Sequence, residues 1–102
     1  MIVFNTTFHI DKTLQKEFVE YMLQKFIPMS TKSGILTSAR LARVFGSNED
    51  EDLSYAMEFK VSDIERLERW RREESKEVYD PLIKKFKDKL IGFSTVMQTI
   101  DH

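Results

Sequence analysis

The spacing of apolar residues changes repeatedly along this chain, and the order of those changes leaves few folds open. Between residues 2 and 10, Phe4, Phe8 and Ile10 alternate with Asn5, Thr7 and His9, the two-residue period of a strand with one covered face. From Leu14 the period turns helical. Leu14, Phe18, Met22 and Phe26 recur every fourth position, Asp11 supplies a cap, and Pro28 with Gly34 predicts an exit near Ile27. The stretch "LTSARLARVF", residues 36–45, reads as a second strand. "GSNEDED", residues 46–52, is a turn-rich acidic loop, and "LSYAMEFKV" then sets Leu53, Tyr55, Met57, Phe59 and Val61 on one side of a third strand. The second and third strands form a hairpin.

A second helix opens at "SDIERLERW", where Ser62 and Glu65 have the spacing of a capping box and Ile64, Leu67 and Trp70 follow a helical period. Val78, Leu82, Ile83 and Phe86 continue it, but Pro81 lacks an amide hydrogen, so two helical pieces with a kink or restart near Asp80 are predicted. The closing run "LIGFSTVMQTI" alternates Ile91, Phe93 and Met97 against Gly92, Ser94 and Gln98, a fourth strand. The order βαββαβ predicts a ferredoxin-like α+β fold. It has a four-stranded antiparallel sheet in the order 4-1-3-2, with both helices on one face and one domain spanning residues 1–102.

Composition narrows the partners. A chain of 102 residues with 41% hydrophobic and 32% charged side chains suits one small core. Sixteen basic residues against seventeen acidic ones create no overall field toward nucleic acid or an anionic membrane, so neither is an expected partner. The absence of cysteine excludes disulfides and thiolate nucleophiles. "MIVFNTTFHI" has no basic n-region or cleavage site, and no apolar run reaches the roughly 18 residues of a membrane span, so a cytoplasmic location is expected. No cofactor is expected, and no metal: one strand histidine does not make a metal site. "NEDED" also lacks the spaced aspartates and terminal glutamate of a calcium loop.

The candidate site begins with two arginines three positions apart on one strand, Arg40 and Arg43, which must therefore point to opposite faces of the sheet. Pairing Phe45 with Leu53 across the acidic loop sets Arg40 opposite Glu58 and Arg43 opposite Tyr55. Ala39, Leu41 and Phe45 then join Leu53, Met57 and Phe59 toward the helices, and Arg43 reaches past Tyr55 at the sheet edge. Arg40 and Glu58 fall on the helix-free face with Asn5, Thr7, His9, Ser94 and Gln98, among the apolar Val3, Ala42, Val44, Ala56, Val96 and Ile100. Asn5, Thr7, His9, Arg40, Glu58 and Gln98 are the candidate ligand-binding residues. His9 is the candidate catalytic acid or base, with no nucleophile beside it in sequence. The apolar members of the face predict a homodimer joined through it, with a small-molecule ligand as the possible second partner. The aromatics Phe4, Phe8, Tyr55 and Phe59 face the helices, which argues against base stacking on the sheet as in RNA-recognition folds.

The segments "NTTFHID", "FIPMSTKSG", "LTSARLARV" and "KKFKDKLIGFSTVMQTI" resemble small bacterial proteins of the dimeric α/β-barrel group, and within it a domain-of-unknown-function family, over the whole chain. The resemblance implies a dimeric ferredoxin-like fold and carries no established activity. That family often has a histidine before the Ile-Pro pair; Phe26 stands there in this chain, so no role passes with it. Monooxygenases of the group use a strand-one asparagine with a tryptophan and a histidine further along. Asn5 matches the first, whereas Trp70 reads as packing and the second helix has no histidine. Three expectations follow: a non-catalytic dimer with a small-ligand-binding or accessory role, a cofactor-free monooxygenase or isomerase with a pocket on the open face, or a protein interaction module.

Overall fold

The first strand forms as its alternation requires. In the computed structural model, which describes residues 1–46 and 52–101, β1 (Ile2–Asp11) buries Phe4, Thr6, Phe8 and Ile10 on one side and turns Asn5, Thr7 and His9 to the other. The Asp11 carboxylate accepts from the Thr13 hydroxyl at 2.6 Å and the Thr13 amide at 2.9 Å, which starts a 3-10 turn leading into α1 (Gln15–Tyr21). These two bonds, the hydroxyl's first, hold the Asp11 carboxyl below its ordinary value.

The helix does not stop at Ile27. A π turn over Met22–Phe26 leads into α2 (Ile27–Ser30), which passes through Pro28. Pro28 has no amide hydrogen, and its ring crowds the carbonyl four residues earlier; the wider turn, with the Ile27 amide donating to the Met22 carbonyl, takes up the misfit. The exit comes at Thr31, whose amide and hydroxyl both donate to the Ile27 carbonyl, at 3.0 and 2.8 Å.

In the hairpin of β2 (Thr37–Val44) and β3 (Asp52–Val61), Arg40 pairs with Glu58 and Arg43 with Tyr55, the predicted register. Residues 47–51 of the predicted acidic loop lie outside the described residues. Two expectations fail here. A bulge between Thr37 and Arg40, with Ser38 at φ 52°, turns Ala39 into solvent. Phe45 lies beyond the end of β2, 76% exposed, with the Arg43 guanidinium 4.8 Å over its ring. Leu41 alone of the three packs against the core.

The second crossover is α3 (Ile64–Glu73) and α4 (Ser75–Phe86). Its cap is Asp63, not Ser62. The Asp63 carboxylate accepts from the Arg66 amide at 2.8 Å, and the Ser62 hydroxyl donates to that same carboxylate. The predicted two pieces are present, but they part at Glu74, and Pro81 sits inside α4. An unbroken helix would carry Glu74 into the buried stripe between Trp70 and Val78, and the break avoids burying that charge. Pro81 and Glu77 are exposed, so the carbonyl that Pro81 leaves without a donor faces solvent.

With β4 (Leu90–Gln98) the sheet order is β2-β3-β1-β4, all antiparallel, the predicted 4-1-3-2 order. The helices cover one face over an aromatic core. Phe4 meets Trp70 edge-on at 6.0 Å, Phe8 lies between Phe18 at 5.7 Å and Phe26 at 6.0 Å, and the Trp70 indole donates to the Ser30 carbonyl at 3.1 Å. Each such buried ring contributes roughly 1.5–3 kcal/mol by removal from water. No helix among the described residues is long and apolar enough to cross a membrane.

The fourth strand reverses its predicted orientation. Residues opposite one another in antiparallel strands share a face, and Gln98, Val96, Ser94 and Gly92 pair with Ile2, Phe4, Thr6 and Phe8 of the helix-covered side. Gln98, Ser94 and Val96 therefore do not lie on the helix-free face, and Ile100 lies past the strand. Ile91, Phe93, Thr95 and Met97 take their place. The reason is steric and polar: a Cβ at Gly92 would stand 2.8 Å from the Phe8 ring, and the Ser94 hydroxyl shares a hydrogen bond with Thr6 at 3.0 Å.

Candidate functional site

Alternation on four paired strands makes the helix-free face a grid. Read across the sheet from β2 to β4, its rows are Val44–Ser54–His9–Ile91, Ala42–Ala56–Thr7–Phe93, Arg40–Glu58–Asn5–Thr95 and Thr37–Lys60–Val3–Met97. Five of the predicted ligand residues, Asn5, Thr7, His9, Arg40 and Glu58, are brought together here, and Gln98 is not. Arg40 Nη2 lies 3.2 Å from Glu58 Oε2, an exposed pair of the kind that adds about 0.2–1 kcal/mol. Asn5 donates to the Thr7 hydroxyl at 3.2 Å. The face is apolar along β4, where Ile91, Phe93 and Met97 are 64%, 55% and 43% exposed.

His9 has a partner that sequence reasoning missed. The Ser54 hydroxyl lies 2.7 Å from His9 Nδ1, and the His9 ring sits 5.8 Å from that of Phe93. The pairing is visible only once β1 and β3 are in register, since the two residues are far apart in the chain. A hydroxyl beside an imidazole is the start of a nucleophilic pair. However, both residues lie on central strands whose amides are engaged on both sides, so no main-chain donor is free to hold an oxyanion there.

On the other side of the sheet, a cleft of about 320 Å³ opens between β4 and α4. Phe8, Leu82, Ile83, Leu90 and Gly92 contribute its apolar wall. Its polar groups come from four elements: Thr6 of β1, Arg71 of α3, Tyr79 of α4 and Ser94 of β4. Thr6, itself buried, shares hydrogen bonds with the Tyr79 hydroxyl at 3.3 Å and the Ser94 hydroxyl at 3.0 Å. Burial raises the Tyr79 hydroxyl above its ordinary pKa, while the bonds to Thr6 and Ser94 and the charge of Arg71 oppose it. Thr6, a polar residue on the apolar side of β1's alternation, was the available signal.

A four-stranded antiparallel sheet with helices on one face is a ferredoxin-like α+β protein, and solved structures of that class superpose on this chain. A dimeric ferredoxin-like protein from an uncultured marine organism does so at TM-score 0.68 and 16% identity, over 99% of this chain and 96% of its own. HapK from Hahella chejuensis gives 0.71 and 11%, over 100% and 95%. An ethyl tert-butyl ether d (ethd) family protein from Bacillus halodurans gives 0.67 and 19%, over 98% and 100%. At these identities the likeness is one of fold. The chain belongs to the family described as Domain of unknown function (DUF4286), which matches residues 1–100. No curated protein matches it.

Proposed function

We propose that the chain is a single ferredoxin-like domain working as a homodimer joined through its helix-free sheet face. Its role is non-catalytic, either small-ligand binding or accessory to another protein, and Asn5, Thr7, His9, Arg40 and Glu58 form the polar lining between the two sheets. The observation that carries this reading is the inversion of β4, which sends Ile91, Phe93 and Met97 outward and Gly92 and Ser94 inward. Contiguous apolar residues on the open side of a sheet stay in water only at a cost, and a second copy related by a two-fold axis covers them with the same residues. The neighbour from the uncultured marine organism is itself described as dimeric, which supports the same assembly. Sedimentation equilibrium tests it. The wild type should be a dimer at micromolar concentration. Ile91→Glu, which places a charge in the apolar column, should weaken association by at least about tenfold, roughly 1.4 kcal/mol, with an unchanged circular dichroism spectrum. A monomeric wild type, or an Ile91→Glu protein that dimerises with wild-type affinity, overturns the reading.

A further inference from the structure

We propose that the cleft between β4 and α4 binds a small carboxylic acid with a compact apolar body, within one protomer and on the side of the sheet opposite the face assigned to dimerisation. The proposal stands apart from the dimer reading because the cleft opens on the helix-covered side of the sheet, and of its lining residues only Phe93 also lies on the open face. Its volume of about 320 Å³ lies at the lower end of small-molecule sites, and its mixture of an apolar wall with a few grouped polar atoms is what such sites share.

The polar atoms select the ligand's charge. The Thr6, Tyr79 and Ser94 hydroxyls each carry one proton and form one hydrogen-bonded group, Thr6 with Tyr79, Thr6 with Ser94 and Ser94 with Tyr79. A hydroxyl of this group that turns its proton to a bound oxygen can still accept from a neighbour, so the group can offer one donor to a ligand. Arg71, exposed at the cleft, stands 5.4 Å over the Phe4 ring, and none of the ion pairs among the described residues includes it. No aspartate or glutamate lines the cleft. One hydroxyl donor turned to the ligand beside one guanidinium outside the ion pairs of the described residues matches a monoanion whose oxygens accept from both. A phosphate group brings nearly two charges to a single guanidinium and is matched less well. The apolar body of the acid packs against Phe8, Leu82, Ile83 and Leu90.

The test is a titration of ¹⁵N-labelled protein with phenylacetate, hexanoate and phenylacetamide, the last being the uncharged analogue of the first. At least one acid should move the Tyr79, Gly92 and Ser94 amide signals saturably, with phenylacetamide binding about tenfold or more weakly than phenylacetate. Arg71→Gln, at an exposed position compatible with folding, should weaken the acid about tenfold and leave the amide unchanged. The proposal is overturned if neither acid gives a saturable shift, if phenylacetate and phenylacetamide bind equally, or if the shifts map to Asn5, Thr7 and Glu58.

Discussion

β1 and β4 are neighbours in one sheet, hydrogen-bonded along their length, yet they distribute their side chains by opposite logic. β1 sends Phe4, Phe8 and Ile10 into the helices and Asn5, Thr7 and His9 outward. β4 sends Gly92 and Ser94 inward and Ile91, Phe93 and Met97 outward. The difference shows that burial is decided by what lies opposite each position. β1 runs through the middle of the sheet, where the aromatic core stands over it. β4 lies at the edge, where the Phe8 ring leaves no space for a Cβ and the Tyr79 and Thr6 hydroxyls need polar company. The apolar half of an edge strand is then available for another surface.

The sharpest test of this contrast sets Phe8→Ala against Ile91→Ala. Phe8 is 3% exposed and wedged between Phe18 and Phe26, so its truncation should cost about 3–5 kcal/mol in urea unfolding. Ile91→Ala, measured at a concentration low enough to hold the protein monomeric, should stay within about 0.5 kcal/mol. Comparable losses at the two sites would break the comparison. A smaller effect is expected at Gly92. Alanine there brings a Cβ within 3 Å of two Phe8 ring carbons, and because the ring is packed on both sides the overpacking should cost about 1–3 kcal/mol. A neutral Gly92→Ala would mean that Phe8 yields easily.

The smallest effect sharpens the polar side. Tyr79→Phe removes a hydroxyl bonded to buried Thr6 and should cost about 1 kcal/mol at pH 7. The folded-state pKa of Tyr79 is raised, so the stability linked to its neutral form is complete below the ordinary tyrosine value near pH 10 and is lost as pH rises through the folded value. The gap between wild type and Tyr79→Phe should therefore narrow from pH 9 to pH 11, and a constant gap would place Tyr79 in water.

Much of the architecture was legible because alternation is strong wherever one strand face meets the core. Phe4 to Ile10 and Leu53 to Val61 announce their strands, and the Arg40–Glu58 pairing follows from the hairpin once both are placed. Legibility failed where a tertiary neighbour overrode a local signal. Pro28 reads as a stop, but a π turn absorbs it; Pro81 reads as a break, but its exposed position spares it, and a buried stripe puts the break at Glu74. The open-face residues on β1, β2 and β3 could be sorted by counting, whereas Gln98 could not, because the direction of β4's alternation depends on Gly92 meeting Phe8. The cleft was out of reach for a similar reason: Thr6, Arg71, Tyr79 and Ser94 share no spacing and meet only after both crossovers are complete.

The bulge at Ser38 has a consequence for how this family can change length. Leu36 and Leu41 both belong to the apolar interior, yet they are an odd number of residues apart, which on an uninterrupted strand would send them to opposite sides. The extra residue acts as a phase correction. Removing Ser38 would leave Leu36 and Leu41 four residues apart, with Thr37 still opposite Lys60 and Arg40 still opposite Glu58. This is therefore the one point in β2 where losing a residue restores regular pairing, whereas a deletion between Arg40 and Val44 would turn the residues on one side of it to the other face. The bulge thus keeps two reading frames of one strand compatible.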